Sequence, residues 1–231
     1  MQAGHEGTGR KASFGVAIRL PFETTANKVI AGDEKLVTFR YFFTRKLMFV
    51  KEAHAVALFP GGFGTQDEGF EVLTLVQTGK AGPIPIVMID EPGGDYWTRW
   101  DRYVRDQLLG NNMIGEEDLN LYTITDDPRK AVDHVLNFYR NYHSQRYVRD
   151  QLVIRMNHPP TDDQVVALNE QFSDLVAEGR IETTRPLKGE RMHLDLPRLK
   201  FKFNRRAHGR LRLFIDRLNE LAEEGVIESV A

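Results

Sequence analysis

The sequence predicts an α/β protein: a parallel sheet with helices on both faces, followed by a small α+β, ferredoxin-like module. Three observations carry this. Apolar strand-like runs alternate with helix-length stretches as far as about residue 142, and such alternation gives β-α-β units with right-handed crossovers. At 56–68 an apolar run, a glycine turn and a helix start follow one another directly. After about Gln145 the pattern shifts to shorter, mixed elements. The expected division is 1–145 and 146–231.

In order along the chain, Ser13 to Leu20 is an apolar run closed by Pro21, a strand. Leu36 to Ala53 carries apolar residues at helical spacing. His54 to Phe59 is the next strand, and Thr65 to Thr78 a helix that Gly79 stops. Ile84 to Ile89 is a strand, Asp95 caps a helix through Leu109, and Leu121 to Thr125 is a short strand. Asp127-Pro128 opens a helix to about Tyr142.

In the second part Leu152 to Met156 is a strand, and Thr161 with Gln164 forms a capping box for a helix to Glu178. Arg180 to Thr184 and Leu199 to Phe203 are strands; a helix to Glu224 and a strand from Val226 follow. Leu175–Glu182 closely matches Leu221–Glu228, and Leu168 with Phe214, and Phe172 with Leu218, keep the same offset. This predicts two similar β-α-β halves. The heptapeptide Arg-Tyr-Val-Arg-Asp-Gln-Leu at 102–108 recurs at 146–152 in a different context, a coincidence.

Composition narrows the function classes. The 231 residues are 41% hydrophobic and 28% charged, with a formal net charge of -2, so no global basic field attracts nucleic acid. The absence of cysteine excludes disulfides, thiolate catalysis and Cys-ligated zinc. No apolar run approaches the roughly 18 residues of a membrane span. No signal-peptide pattern opens the chain, and a cytoplasmic protein is expected. The seven histidines lack the His-Glu-x-x-His spacing of a zinc site. Arg198, Lys200, Lys202, Arg205, Arg206, Arg210 and Arg212 form a basic cluster, either a solvated face or a nucleotide or RNA contact.

The chemistry concentrates at Phe59-Pro60-Gly61-Gly62-Phe63-Gly64-Thr65-Gln66-Asp67-Glu68. A glycine turn opening a helix offers backbone N–H groups and a positive helix end to an anion. It is neither a G-x-G-x-x-G fingerprint nor a P-loop, and it reads either as a tight structural turn or as a phosphate site. Thr65 and Glu68 read either as a capping box in the first helical turn or as site groups. Arg45-Lys46, among Phe42, Phe43, Met48 and Phe49, reads either as a solvated edge or as a phosphate fork.

Arg45-Lys46 followed by Pro60-Gly61-Gly62-x-Gly64-Thr65-x-x-Glu68, with Thr74 in the next helix, resembles the LONELY GUY (LOG) nucleotide phosphoribohydrolases over roughly 1–140. That family is often labelled "lysine decarboxylase", yet no lysine here sits in a pyridoxal-binding context. The resemblance implies a Rossmann-like homodimer that hydrolyses the N-glycosidic bond of a nucleoside 5′-monophosphate, AMP or a modified adenylate, without metal or organic cofactor. It implies that Glu68 is the catalytic carboxylate and that Arg45 aids catalysis or positioning. Lys46, Gly61, Gly62, Gly64, Thr65 and Thr74 would line the nucleotide site, and Glu23 matches a further substrate-binding glutamate. The family's first glycine-rich phosphate loop would lie upstream, Met1-Gln2-Ala3-Gly4 being its tail, so an N-terminally truncated chain is expected. The competing reading is a non-catalytic nucleotide-binding regulator.

Overall fold

The computed structural model describes residues 13–19 and 28–228. The chain divides into two compact units, Met1–Ala53 and His54–Ala231.

In the first unit, β1 (Gly15–Ile18) and β2 (Leu36–Phe39) pair in parallel, Gly15 opposite Leu36 and Ile18 opposite Phe39. Side-chain bulk at Gly15 would press on Leu36 and Ile30, so the strand start is glycine. The helical reading of 36–53 holds only from Phe42: α1 spans Phe42–Glu52. Val37, Thr38 and Phe39 go to the strand because β1 supplies the ladder partners that outweigh a helical spacing.

The second unit opens with a three-stranded parallel sheet in the order β3 (Val56–Leu58), β4 (Ile86–Ile89), β5 (Thr123–Thr125). All four residues of β4 are buried. Val87 and Ile89 pack on Ala131 and Val135 of α4 (Pro128–Phe138). On the other face Leu58, paired with Met88, lies against Gly69 of α2 (Phe63–Gln77). Helices thus cover both faces, as a Rossmann-like core requires. Between β4 and β5 run α3 (Tyr96–Tyr103), a π-helical segment Val104–Leu109 and a 3-10 segment Glu116–Leu121. Asp127 caps α4 by accepting from the Arg129 N–H at 2.8 Å, and Pro128 fills the first helical position.

The same unit continues into an antiparallel sheet ordered β6 (Tyr142–Val148), β7 (Gln151–Met156), β9 (Arg198–Phe203), β8 (Val176–Thr183). Leu152, Ile154, Leu199 and Phe201 point to one face, which Leu168 and Phe172 of α5 (Asp162–Gln171) and Phe214 and Leu218 of α6 (His208–Glu228) cover. The predicted capping box of α5 is present: Thr161 and Gln164 bond reciprocally at 3.0 and 3.2 Å.

Several boundaries differ from the expectation. The α4 helix ends at Phe138, not near Tyr142, because Tyr142 starts β6 and the buried Asn141 and Asn219 side chains take up the connecting backbone. Gly179 does not end a helix. Its φ of 80° sits inside β8, at a register shift between Glu178 and Glu182, and Asn169 holds the strand by bonding both backbone groups of Ile181. Nor does a strand begin at Val226, since α6 continues to Glu228. Its Leu-Ala-Glu-Glu run has high helix propensity, and β6 and β8 already flank the central strands.

The predicted repeat survives in part. The starts of α5 and α6 and the buried pairs Leu168/Phe214 and Phe172/Leu218 keep one offset. The repeating unit is β-β-α, however, rather than the β-α-β of a ferredoxin-like module.

The sheet's other face is charged. Lys200 pairs with Glu182 at 3.2 Å, Lys202 with Glu178 at 2.6 Å. Arg210 pairs with Asp174 and Arg212 with Asp216, each at 2.9 Å, while Arg205 lies over the Tyr147 ring. Much of the basic cluster is thus matched by acids within the module. In the β8–β9 loop the Glu190 carboxylate accepts from Arg155 at 2.6 Å and pairs with Arg198 at 2.9 Å, with side-chain exposures of 0%, 6% and 0%. Leu187 N–H donates to its second oxygen.

Where α4 meets α6, His134 is wedged between Thr123 and Arg212. Burial, then the Arg212 charge, push its imidazole down to about 4. The unfolded chain therefore binds a proton that the folded chain refuses. Stability from this group is complete above the ordinary histidine range and falls as pH drops toward 4. Urea midpoints measured from pH 7 to 4 should decline less in His134→Gln than in the parent.

Candidate functional site: the glycine turn and helix α2

β3 ends at Leu58, and the chain turns through Phe59, Pro60, Gly61 and Gly62 at the carboxyl end of the strand, where ligands enter parallel sheets. Gly62 is extended (φ -85°, ψ -157°) and serves as N-cap, with no side-chain hydrogen bond at the cap. The helix therefore begins two residues earlier than the sequence suggests. Thr65 is its third residue, not its cap, and Glu68 sits in the second turn. The capping-box reading fails because the glycine backbone itself adopts the cap conformation. Gly64 accordingly belongs to the helix, not the turn.

The three glycines differ in what they require. A Cβ on Gly61 would collide with the Thr65 side chain, which folds back over the turn. Among the described residues, a Cβ on Gly62 or Gly64 would meet nothing within 4 Å. Packing among the described residues does not demand glycine at those two positions, and none of those residues fills the space before the helix end.

Helical geometry places Gly64, Thr65 and Glu68 on one face, four, three and zero residues apart, and long side chains lean toward the N-terminus. The half-buried Glu68 thus shares a face with the open end. Thr74, six residues further on, turns away by about 240°. Its hydroxyl donates to the Phe70 carbonyl at 2.7 Å and it borders a different cavity. Within one chain Thr74 and Glu68 are not brought together.

Two residues outside the expected set brace the turn. The Tyr96 hydroxyl, from α3, donates to the Gly61 carbonyl at 2.6 Å and accepts from Gln66 Nε2 at 2.5 Å. The available sequence signal was an aromatic hydroxyl just past the Gly93-Gly94 loop that follows β4. That loop is itself tied down, Gly93 N–H donating to Asp126, while buried Asp90 accepts from Trp97 N–H at 3.0 Å.

Arg45 and Lys46 lie on α1 in the first unit, the Arg45 guanidinium 5.5 Å over the Phe49 ring centroid. Glu23 and Met1–Gly4 lie outside the described residues.

Residues 1–135 match a family model described as "Possible lysine decarboxylase". That is more than half the chain, which belongs to this LOG-like family. No curated protein matches it.

Proposed function

We propose that this member of the LOG-like, "possible lysine decarboxylase" family is a phosphoribohydrolase acting on a nucleoside 5′-monophosphate, AMP or a modified adenylate. It cleaves the N-glycosidic bond to give free base and ribose 5-phosphate. The observation that carries this is the space before Gly62 and Gly64, unfilled by the described residues, at a helix end whose cap is the glycine backbone and on the face that Glu68 occupies.

The backbone N–H groups and positive end of α2 hold the 5′-phosphate, and Thr65 lies at the turn to bond it. Held phosphate supplies orientation at the ribose. As the C1′–N bond breaks, the ribose gains oxocarbenium character, which the Glu68 carboxylate stabilises. Glu68 also accepts one proton of the water whose oxygen bonds C1′, and that proton is returned to the departing base nitrogen, which leaves Glu68 ionised for the next turnover. Arg45, Lys46 and Glu23 are carried over from the family resemblance alone, as candidate substrate contacts. Thr74 reaches a nucleotide only from a second copy of the chain, consistent with a homodimer. The reading assigns 1–145 to the nucleotide half and 146–231 to the α+β module, in a cytoplasmic protein.

Chromatography of a reaction with AMP tests it. Adenine and ribose 5-phosphate should appear in equal amounts. Tight AMP binding with no release would replace the hydrolase by the nucleotide-binding regulator.

Tyr96→Phe provides a second check. It leaves the Gly61 carbonyl and Gln66 without their shared partner, at a stability cost of about 1 kcal/mol. Because the hydroxyl braces the turn and not the carboxylate, KM should rise more than kcat falls. An unchanged KM would show that the brace is purely structural.

A further inference from the structure

Two irregular stretches of backbone in the antiparallel sheet bring two imidazoles together. His143 is the extra residue of a bulge on the edge strand β6: Tyr142 pairs with Met156 and Ser144 with Arg155, and His143 has no register partner. Bulges at sheet edges re-aim side chains and recur beside functional sites. His193, in the β8–β9 loop, takes a φ of 55°, a conformation few non-glycine residues adopt. Arg198 Nη2 donates to its carbonyl at 2.5 Å and holds it there. The two rings meet with centroids 4.5 Å apart. His143 is half-buried and His193 exposed, so the pair lies at the surface.

The charges around the pair define what it can bind. Arg155 Nη1 donates to Ser144 Oγ at 3.4 Å, and that oxygen lies 2.9 Å from His143 Nδ1. The serine hydroxyl thus links a buried guanidinium to the imidazole. Among the described residues no hydrogen bond engages Nε2 of His143 or either ring nitrogen of His193. Arg155 and Arg198 share one buried carboxylate, Glu190, which leaves one positive charge over. Arg146 adds another on the face of β6 that Ser144 occupies, two residues along. Burial, then His193 and Arg155, hold the His143 imidazole below its ordinary value, and exposed Asp195 opposes them. Such a surplus disfavours a metal cation, and among the described residues no three His, Asp or Glu side chains are grouped to hold one. It favours an anion.

We propose that His143 and His193 form an anion site for a phosphate group, the tetrahedral oxyanion of free phosphate or of a small phosphomonoester. One oxyanion bridges the two ring N–H groups, and the Arg155 charge behind Ser144 stabilises it. Each ring takes up a proton from solvent as the anion binds, so binding strengthens as pH falls. The site uses no residue of the glycine turn or of α2.

Imidazole NMR spectra of the isotope-labelled full chain, titrated with inorganic phosphate, test the proposal. His143→Gln and His193→Gln assign the two signals, and circular dichroism checks both folds. The two signals should move saturably with one shared midpoint. The ring that remains in either variant should bind at least tenfold more weakly. Sulfate, doubly charged at every pH used, should bind about tenfold tighter at pH 6 than at pH 8. Glycerol 3-phosphate distinguishes the sources: tighter binding than phosphate points to a phosphomonoester, equal or weaker binding to the free ion. No saturable movement of the two signals, sulfate affinity that ignores pH, or unchanged affinity in a folded variant overturns the proposal. Because the signals are local to the two rings, the outcome stands whether or not the protein hydrolyses AMP.

Discussion

Glu68→Gln is expected to slow release of adenine from AMP by about two to four orders of magnitude, the usual contribution of a positioned acid–base group. AMP affinity should change little. The substitution keeps the side-chain shape and is nearly neutral for helix propensity, so α2 and the glycine turn remain. The substitution removes the charge that the proposed mechanism sets against the developing oxocarbenium. Steady-state assay of base release beside calorimetric AMP binding separates the two effects. Turnover within tenfold of the parent would reduce Glu68 to an ordinary helix residue and remove the chemical core of the proposed function.

The largest effect on stability is expected from Glu190→Gln, a loss of about 3–5 kcal/mol in urea unfolding, since breaking a buried ion pair on one side strands the remaining charge. Here two guanidiniums, Arg155 and Arg198, converge on one carboxylate with almost no solvent. Replacing all three by well-packed apolar residues should cost far less, because no stranded charge remains. Burial by itself pushes the Glu190 carboxyl up, but the donors from Arg155, the Leu187 backbone and Arg198 outweigh it and hold the carboxyl below its ordinary range. The stability it contributes is therefore complete above the ordinary glutamate range and is lost as pH falls through the depressed value. Glu190→Gln should lack that acid limb.

The strand–turn–helix around Gly61 was legible because three signals coincide there: an apolar run, glycines and a helical spacing. The helix start was not. Thr65 and Glu68 satisfy a capping pattern on paper, yet a glycine at Gly62 can take the cap conformation without any side chain, and pattern alone does not distinguish the two. The heptapeptide at 102–108 and 146–152 shows why local reading fails elsewhere. Its first copy runs through the end of α3 into the π-helical segment, and its second makes the hairpin of β6 and β7, turning at Arg149 with a φ of 58°. The same divergence separates Leu175–Glu182, which forms β8, from Leu221–Glu228, which stays helical. In each case long-range ladder partners and core contacts decide, and these are not written in the local segment. Tyr96 was missed for the same reason, its partner Gly61 lying 35 positions away.

The far end of α2 carries a consequence of its own. Gly79, with a φ of 69°, closes the helix where any side chain would strike the His208 ring at the start of α6. Neighbouring Gly209 is equally tight against the Glu117 backbone. The rod that bears the carboxylate is thus clamped at both tips, by a tyrosine at one and by the C-terminal module at the other. Severing the chain near residue 145 would do more than shed an appendage: it would pull away the buttress against which the C-terminal end of α2 rests.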